Sequence, residues 1–244
     1  MDGLLHPAAA IVESLHFRLL NPSELVAVFI VCVIVWLFVG LLAWKTFRRK
    51  GSEYASRYVS VCHAALSTVV CGMAALDNYK SRDWGMFGAV DSTGLQQVAL
   101  INTAAYFTMD FVGILVSDYF SWLFVVHHTL CGGCLMYCAF SATNCFNLSV
   151  VTFLMELSNP FFHARWLLSE EGVDEGAFVF SVVNELFFSL YFVTRVVVSP
   201  FLTWRYLSSD NPAFMKLSSL GLQVVSIQFF IEKVKHRLTG KPWK

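Results

Sequence analysis

The sequence predicts an all-α fold, a polytopic membrane helix bundle of about seven spans, with six as the alternative count. Composition is the first ground. Of 244 residues, 57% are hydrophobic and only 14% are Asp, Glu, Lys or Arg. A typical soluble domain is about 45–50% apolar and about 25% charged, so this chain has too little polar surface to stay dissolved. The second ground is residues 25–44, an apolar run without one charged side chain and of the length a helix needs to cross a bilayer. The third is that six more apolar segments follow, at about 58–76, 98–117, 120–140, 147–168, 178–201 and 213–231. Seventeen basic residues balance seventeen acidic ones, so no global basic field exists to attract nucleic acid. The same hydrophobicity excludes a disordered chain.

Taken in order, residues 1–23 read as a short lumenal or extracellular segment. Within it, 8–20 form either an interfacial helix, with Ile11, Leu15 and Leu19 on one face, or a frayed terminus. Residues 24–49 are the first span and a basic loop. The segment ahead of that span is neither basic nor short, unlike a signal peptide, so the span is expected to be permanent. The second span is rich in Ala, Ser and Gly, the fifth is broken by Asn159-Pro160, and the seventh holds several Ser and Gln. Such helices suit a bundle interior, where small residues allow close approach and polar ones find partners. The longest connection, about 77–97, is too short for a core of its own.

Orientation follows from basic residues in short loops. Lys45, Arg48, Arg49, Lys50 and Arg57 cluster after the first span, and Lys233, Lys235, Arg237, Lys241 and Lys244 at the C-terminal end. Placing both clusters in the cytoplasm requires an odd number of spans, which agrees with seven. The N-terminus is then lumenal or extracellular and the tail, 236–244, cytoplasmic. Arg18, Lys80, Arg82, Arg195, Arg205 and Lys216 fall outside or at outer span ends, and the default for Arg165 and Arg195 is snorkelling to the interface.

Depth makes the polar residues specific. Counted from the expected cytoplasmic ends, Asp110, His127, Glu156, Asn184, Glu185, Gln223 and His63 all fall roughly 8–12 Å below that surface, at 1.5 Å per helical residue. Ionisable groups in hydrocarbon are costly unless paired or wetted, and they mark cavities or paths. One shared interior site is expected, with a hydrogen-bond network that fixes helix register as the alternative. His127, His128, Asp110 and Glu156 are the catalytic candidates. His63, Asn159, Asn184, Glu185, Gln223 and Arg165 are the expected lipid-site lining. A carboxylate beside an imidazole fixes its tautomer and raises its basicity, the pairing a general base requires.

The segment WLFVVHHTL, preceded by Asp118-Tyr119, resembles the paired-histidine helix of TLC-domain proteins. The next span, ELSNPFFHARWLL, is similar to that family's following helix, and Asp110 sits where the family carries an aspartate. The resemblance covers about 50–235, and within the family it is to the small TLC domain-containing protein 5-like group. It implies a membrane helix bundle, an endoplasmic reticulum or other endomembrane location, and a role in lipid metabolism or membrane lipid homeostasis. Ceramide synthases in this family use paired histidines for acyl transfer from acyl-coenzyme A. Their signature continues into a His-Asp-x-x-Asp group, and here Glu156 and Asn159 stand in the following helix instead. Lipid acyltransferase chemistry therefore remains an alternative, with acyl-coenzyme A as a substrate and no bound cofactor expected.

Other chemistries fit less well. Di-iron membrane enzymes resemble one another in several histidine boxes, and this chain has seven histidines with no i, i+4 pair, so no metal is expected. Cys131, Cys134 and Cys138 form a stripe on the fourth span, but a redox shuttle would need a second, lumenal pair, and 77–97 has no cysteine. With Gly132 and Gly133 between them, these residues read as a site of tight helix packing. A transporter or proton-coupled channel is supported only by the polar layer, without an inverted repeat. The expected partners are membrane lipids, with homo-oligomerisation open.

Overall fold

A computed structural model of the chain describes residues 18–77, 92–116 and 122–239. The expected interfacial helix at 8–20 lies outside the described residues except for its last three. Most of the 77–97 connection and the last five residues of the tail lie outside them too.

Nine α-helices and one π-helix run through the described residues: α1 Pro22–Thr46, α2 Ser52–Leu76, α3 Gly94–Val116, α4 Trp122–Ser141, α5 Cys145–Glu156, α6 Asn159–Glu170, α7 Phe178–Tyr191, a π-helical turn Phe192–Val198, α8 Ser199–Leu207 and α9 Ala213–Thr239. Because α7, the π segment and α8 are continuous over Phe178–Leu207, the helices form seven rods. Six rods are long and apolar enough to cross a membrane. The remaining rod is α5 plus α6, twelve residues each, or about 18 Å apiece against about 30 Å of hydrocarbon.

Local chemistry sets these boundaries. At the start of α1, the Asn21 side chain accepts from the Glu24 amide at 3.0 Å and Glu24 accepts from the Asn21 amide at 2.9 Å, a reciprocal capping box ahead of Pro22. The rod then buries only Leu25, Trp36 and Ala43, leaving Ile30, Ile34, Phe38 and Leu41 among its exposed side chains. So large an apolar surface on a folded chain is a lipid-facing one. Pro160 breaks the fifth rod as its sequence predicts, having no N–H for the turn before it.

The centre of the bundle is α2 with α3. Helix α3 packs against α1, α2 and α4, and α2 packs against α5 and α6. Small residues make that possible: Ala55, Ala64, Ser67, Cys71 and Ala74 on α2, and Ala99, Ala104 and Ala105 on α3, are buried. The closest approach of one helix to another at a glycine is at Gly72, where an added Cβ would lie 3.2 Å from the Phe153 ring on α5. The packing expected at Gly132 and Gly133 is absent, because a Cβ at either would meet nothing within 4 Å. Cys134 and Cys138 carry that stripe's burial themselves, and all seven cysteines are free thiols.

At one end of the bundle, Gln97 accepts from the Leu20 amide and donates to the Ala139 carbonyl, each at 2.8 Å. Asn144 donates to Asn211 at 2.9 Å. These bonds tie the helix ends together. Asn147, in the only part of the chain with a glycosylation-like triplet, is buried inside this network.

Candidate functional site

Between α2, α3, α4, α5, the π segment and α9 lies a cavity of about 430 Å³, within the roughly 300–1,000 Å³ of typical ligand pockets. Seven of the ten sequence candidates line it: His63, Asp110, His127, His128, Glu156, Asn159 and Gln223. The other three are not brought to it. Arg165 donates to Asn184 at 2.8 Å and stacks over Phe180. Glu185 pairs with Arg237 at 2.6 Å, both side chains about half exposed.

The polar groups form a column rather than a layer. On α2, Ser56 donates to Asp110 at 3.4 Å, whereas His63, seven residues further along, approaches Glu156 at 4.0 Å. Those seven residues rise about 10 Å along the axis. Asn184 meets Arg165 and Arg195 meets Asn159, eleven residues or about 16 Å apart on their shared rod. The sequence reading places Asn184 at the depth of Glu156 because it counts the depth of Glu156 from Ala164, inside the 147–168 segment. Helix α6 continues to Glu170, which brings Glu156 beside Arg195's turn instead.

The lower part of the column is a tightly bonded pair. His128 Nε2 lies 2.9 Å from Asp110 Oδ2, and His128 Nδ1 lies 2.8 Å from the Phe124 carbonyl. A carbonyl accepts only, and so does an ionised carboxylate. Either both ring nitrogens carry hydrogen and His128 is an imidazolium, or the extra proton sits on Asp110. In both cases the pair is neutral overall and His128 has no free lone pair for the cavity. His127 differs. Among the described residues its hydrogen-bonding contact is with Cys131 Sγ at 3.8 and 3.9 Å, a weak partner, and its ring meets the rings of Phe107 and His128. Adjacent positions on a helix point about 100° apart, which gives the two imidazoles separate surroundings.

Above them, His63 is buried between aromatic rings. It stacks on Tyr106 with centroids 3.6 Å apart and receives Trp36 edge-on at 5.5 Å. Tyr106 is bonded to Ser60 at 2.9 Å. Tyr106 is not among the residues the sequence singles out, although it stands at i, i+4 from Asp110, a spacing that places both on one face.

Arg195 overturns an expectation. Expected to snorkel at an outer span end, it lines the cavity and donates from Nη2 to the Met155 carbonyl at 2.6 Å and Asn159 Oδ1 at 3.1 Å. Asn159 donates in turn to Glu156 at 3.0 Å. The cause is a pair of facing helix irregularities. Pro160 breaks the α5–α6 rod, and Arg195 serves the Met155 carbonyl beside that break. In the π segment, the Ser199 amide bonds to the Thr194 carbonyl, five residues back. Pro200, next in that register, has no N–H to offer Arg195. Gln223 supplies it, donating to the Arg195 carbonyl at 3.1 Å while accepting from Ser199 at 2.6 Å. The signal was present in the sequence: Phe187, Tyr191 and Arg195 recur every four residues on the inward stripe. Among the described residues, no three His, Cys, Asp or Glu side chains converge as a metal-ligand set.

Six rods long and apolar enough to cross a membrane, in a bundle that holds a cavity lined by paired ionisable groups, define an integral, multi-pass membrane protein with a built polar interior. The TLC-domain family model matches residues 53–231. The chain belongs to the TLC-domain family, and that match takes in every cavity residue named above. No solved structure matches it.

Proposed function

We propose that this chain acts in lipid metabolism or membrane lipid homeostasis by holding a membrane lipid in the cavity against His127. The observation that carries this reading is the contrast between the two histidines. His128 is committed on both nitrogens to Asp110 and Phe124. His127 faces the same cavity, and among the described residues its hydrogen-bonding partner is the weak Cys131 thiol. Mostly apolar walls with a few placed polar groups suit an amphiphile.

A second reading, a lipid acyltransferase, draws on the same contrast. His127 would be base or nucleophile, with His128 and Asp110 as positioning residues behind it. Glu156 and Asn159 occupy the helix where the family's ceramide synthases continue their signature, so no N-acyl transfer to sphingoid bases is assigned. The basic clusters at Lys45–Lys50 and Lys233–Arg237 favour a cytoplasmic C-terminus and a lumenal N-terminus, and the family resemblance favours an endomembrane location.

The test is comparative lipid profiling of cells lacking the protein, re-expressing wild type, His127→Ala or His128→Ala at matched levels. His127→Ala is expected to reproduce the null profile although its helix packing is intact. Full restoration of the wild-type profile by both variants would sink the proposal. Asp110→Asn separates the two readings. It should retain lipid holding, because shape and both His128 hydrogen bonds persist, and lose turnover if acyl transfer is the function.

A further inference from the structure

Arg195 has more hydrogen-bonding capacity than its surroundings use. A guanidinium carries five N–H donors, and the two bonds it makes both leave from Nη2. Its Nε is buried with no hydrogen-bond partner among the described residues. No carboxylate stands within 4.0 Å of it there: Glu156 is reached only through Asn159, and Asp110 is taken by His128. Holding a cation in a bundle interior with no carboxylate in direct contact is costly. Serving the Met155 carbonyl would not require that charge, since any neutral donor could do so.

The surroundings define what would complete it. Phe162, Phe187, Leu202, Leu222, Val225 and Phe229 line the same cavity, an apolar wall beside a guanidinium that no carboxylate among the described residues contacts directly. A free inorganic anion would waste that wall, and Arg57, the other arginine lining the cavity, is already paired with Glu53 at 3.1 Å, which leaves Arg195 to meet a single negative charge. At about 430 Å³ the cavity lies toward the small end of the roughly 300–1,000 Å³ range of ligand pockets, which favours one chain over two.

We propose that Arg195 is the anchor for the monoanionic head of a single-chain lipid, a carboxylate or a phosphodiester, whose chain lies along the apolar wall of the cavity. This rests on the reading that the cavity holds a membrane lipid and adds the charge and chain number of that lipid. The π segment serves this purpose by keeping Arg195 on the inward stripe beside Tyr191, over whose ring the guanidinium sits at 5.0 Å.

The test uses the purified full chain in phosphatidylcholine nanodiscs at pH 8, with binding of radiolabelled oleate, oleyl alcohol and oleoyl-lysophosphatidylglycerol measured directly. Wild type is expected to bind at least one of the two anions about tenfold or more tighter than the alcohol, the scale of a charged hydrogen bond. The two anions distinguish a carboxylate from a phosphodiester head. Arg195→Gln should abolish that preference while leaving alcohol binding within about twofold, and Arg237→Gln should keep it, because Arg237 pairs with Glu185 away from the cavity. The wild-type preference needs no variant, so a misfolded Arg195→Gln cannot rescue the idea. Equal binding of anions and alcohol by wild type overturns it while sparing the lipid reading. Loss of alcohol and anion binding together in a folded Arg195→Gln overturns it also, leaving the arginine a helix clamp. Failure of wild type to bind any of the three removes the lipid reading itself.

Discussion

Replacing Asp110 two ways measures what the Asp110–His128 pair is. Both side chains are largely buried, at 15% and 8% exposure, and 2.9 Å apart. Asp110→Ala strands His128 Nε2 in the protein interior. Breaking a buried pair by removing one partner costs about 3–5 kcal/mol. For a chain of this size about 1 kcal/mol moves the midpoint by about 2–4 °C, so a fall of about 6–20 °C is expected. Asp110→Asn is different in kind. Its amide can donate to Nε2 of a neutral His128 whose Nδ1–H stays on the Phe124 carbonyl, so geometry and both bonds survive and only the charge assistance is lost. That difference is about 1 kcal/mol, or about 2–4 °C.

The assay is thermal unfolding of purified protein in one detergent, followed by intrinsic fluorescence, for both single variants, His128→Ala and the Asp110→Ala/His128→Ala double variant. The double variant should be less destabilised than the sum of its singles by about 1–3 kcal/mol, because the second removal no longer strands a charge. Additive singles, or an asparagine as damaging as alanine, would refute the reading of Asp110 and His128 as one coupled, hydrogen-bonded pair.

Other outcomes follow from single contacts. Gln223→Leu leaves both the Arg195 carbonyl and the Ser199 hydroxyl without the bonds at 3.1 and 2.6 Å, and a loss of about 1–3 kcal/mol for each stranded group should appear in the same melting assay. Gly72→Val should cost about 1–3 kcal/mol by overpacking against Phe153, whereas Gly133→Ala, with nothing within 4 Å of its new Cβ, should be neutral or stabilise by up to about 1 kcal/mol. Donation from Lys50, and then from Tyr54, holds the Glu171 carboxyl below the usual carboxylate range. A depressed acid contributes fully above its unfolded value and loses that contribution as pH falls through the folded one. The small melting difference between wild type and Glu171→Gln should therefore be the same at pH 6 and pH 8 and vanish in strong acid.

Where single-residue properties decide the structure, the sequence is legible. The charge-free stretch inside α1, the break at Asn159-Pro160 and the interior placement of Asp110, His127, His128 and Glu156 all follow from composition, ring chemistry and the cost of charge in hydrocarbon. Depth is where the reading goes astray. It depends on where each helix stops, and amphipathic ends such as His163–Glu170 continue helically past the apolar stretch that marks the span. A six-residue error in one end moves a residue by about 9 Å. That is enough to set Asn184 level with Glu156 and to leave Arg195 at the wrong end of its rod.

Arg195 also shows why the error was not random. A lone arginine near the end of an apolar run has two satisfactory fates, snorkelling to water or meeting acceptors inside. Composition cannot choose between them, because the choice is made by backbone acceptors on another rod. Here the acceptors are Asn159 Oδ1 and the Met155 carbonyl, one residue before the carbonyl that Pro160 cannot serve, and the arginine's own carbonyl needs Gln223 because a second proline follows five residues later. Each irregularity, read alone, is a weakened helix. Read as a pair across one interface, they are a mutually satisfied joint that places a cation deep in the bundle. Prolines near the middle of two neighbouring spans, with an arginine and a glutamine within a turn or two of the same level, are therefore a stronger pointer to an interior site than any one of the four residues.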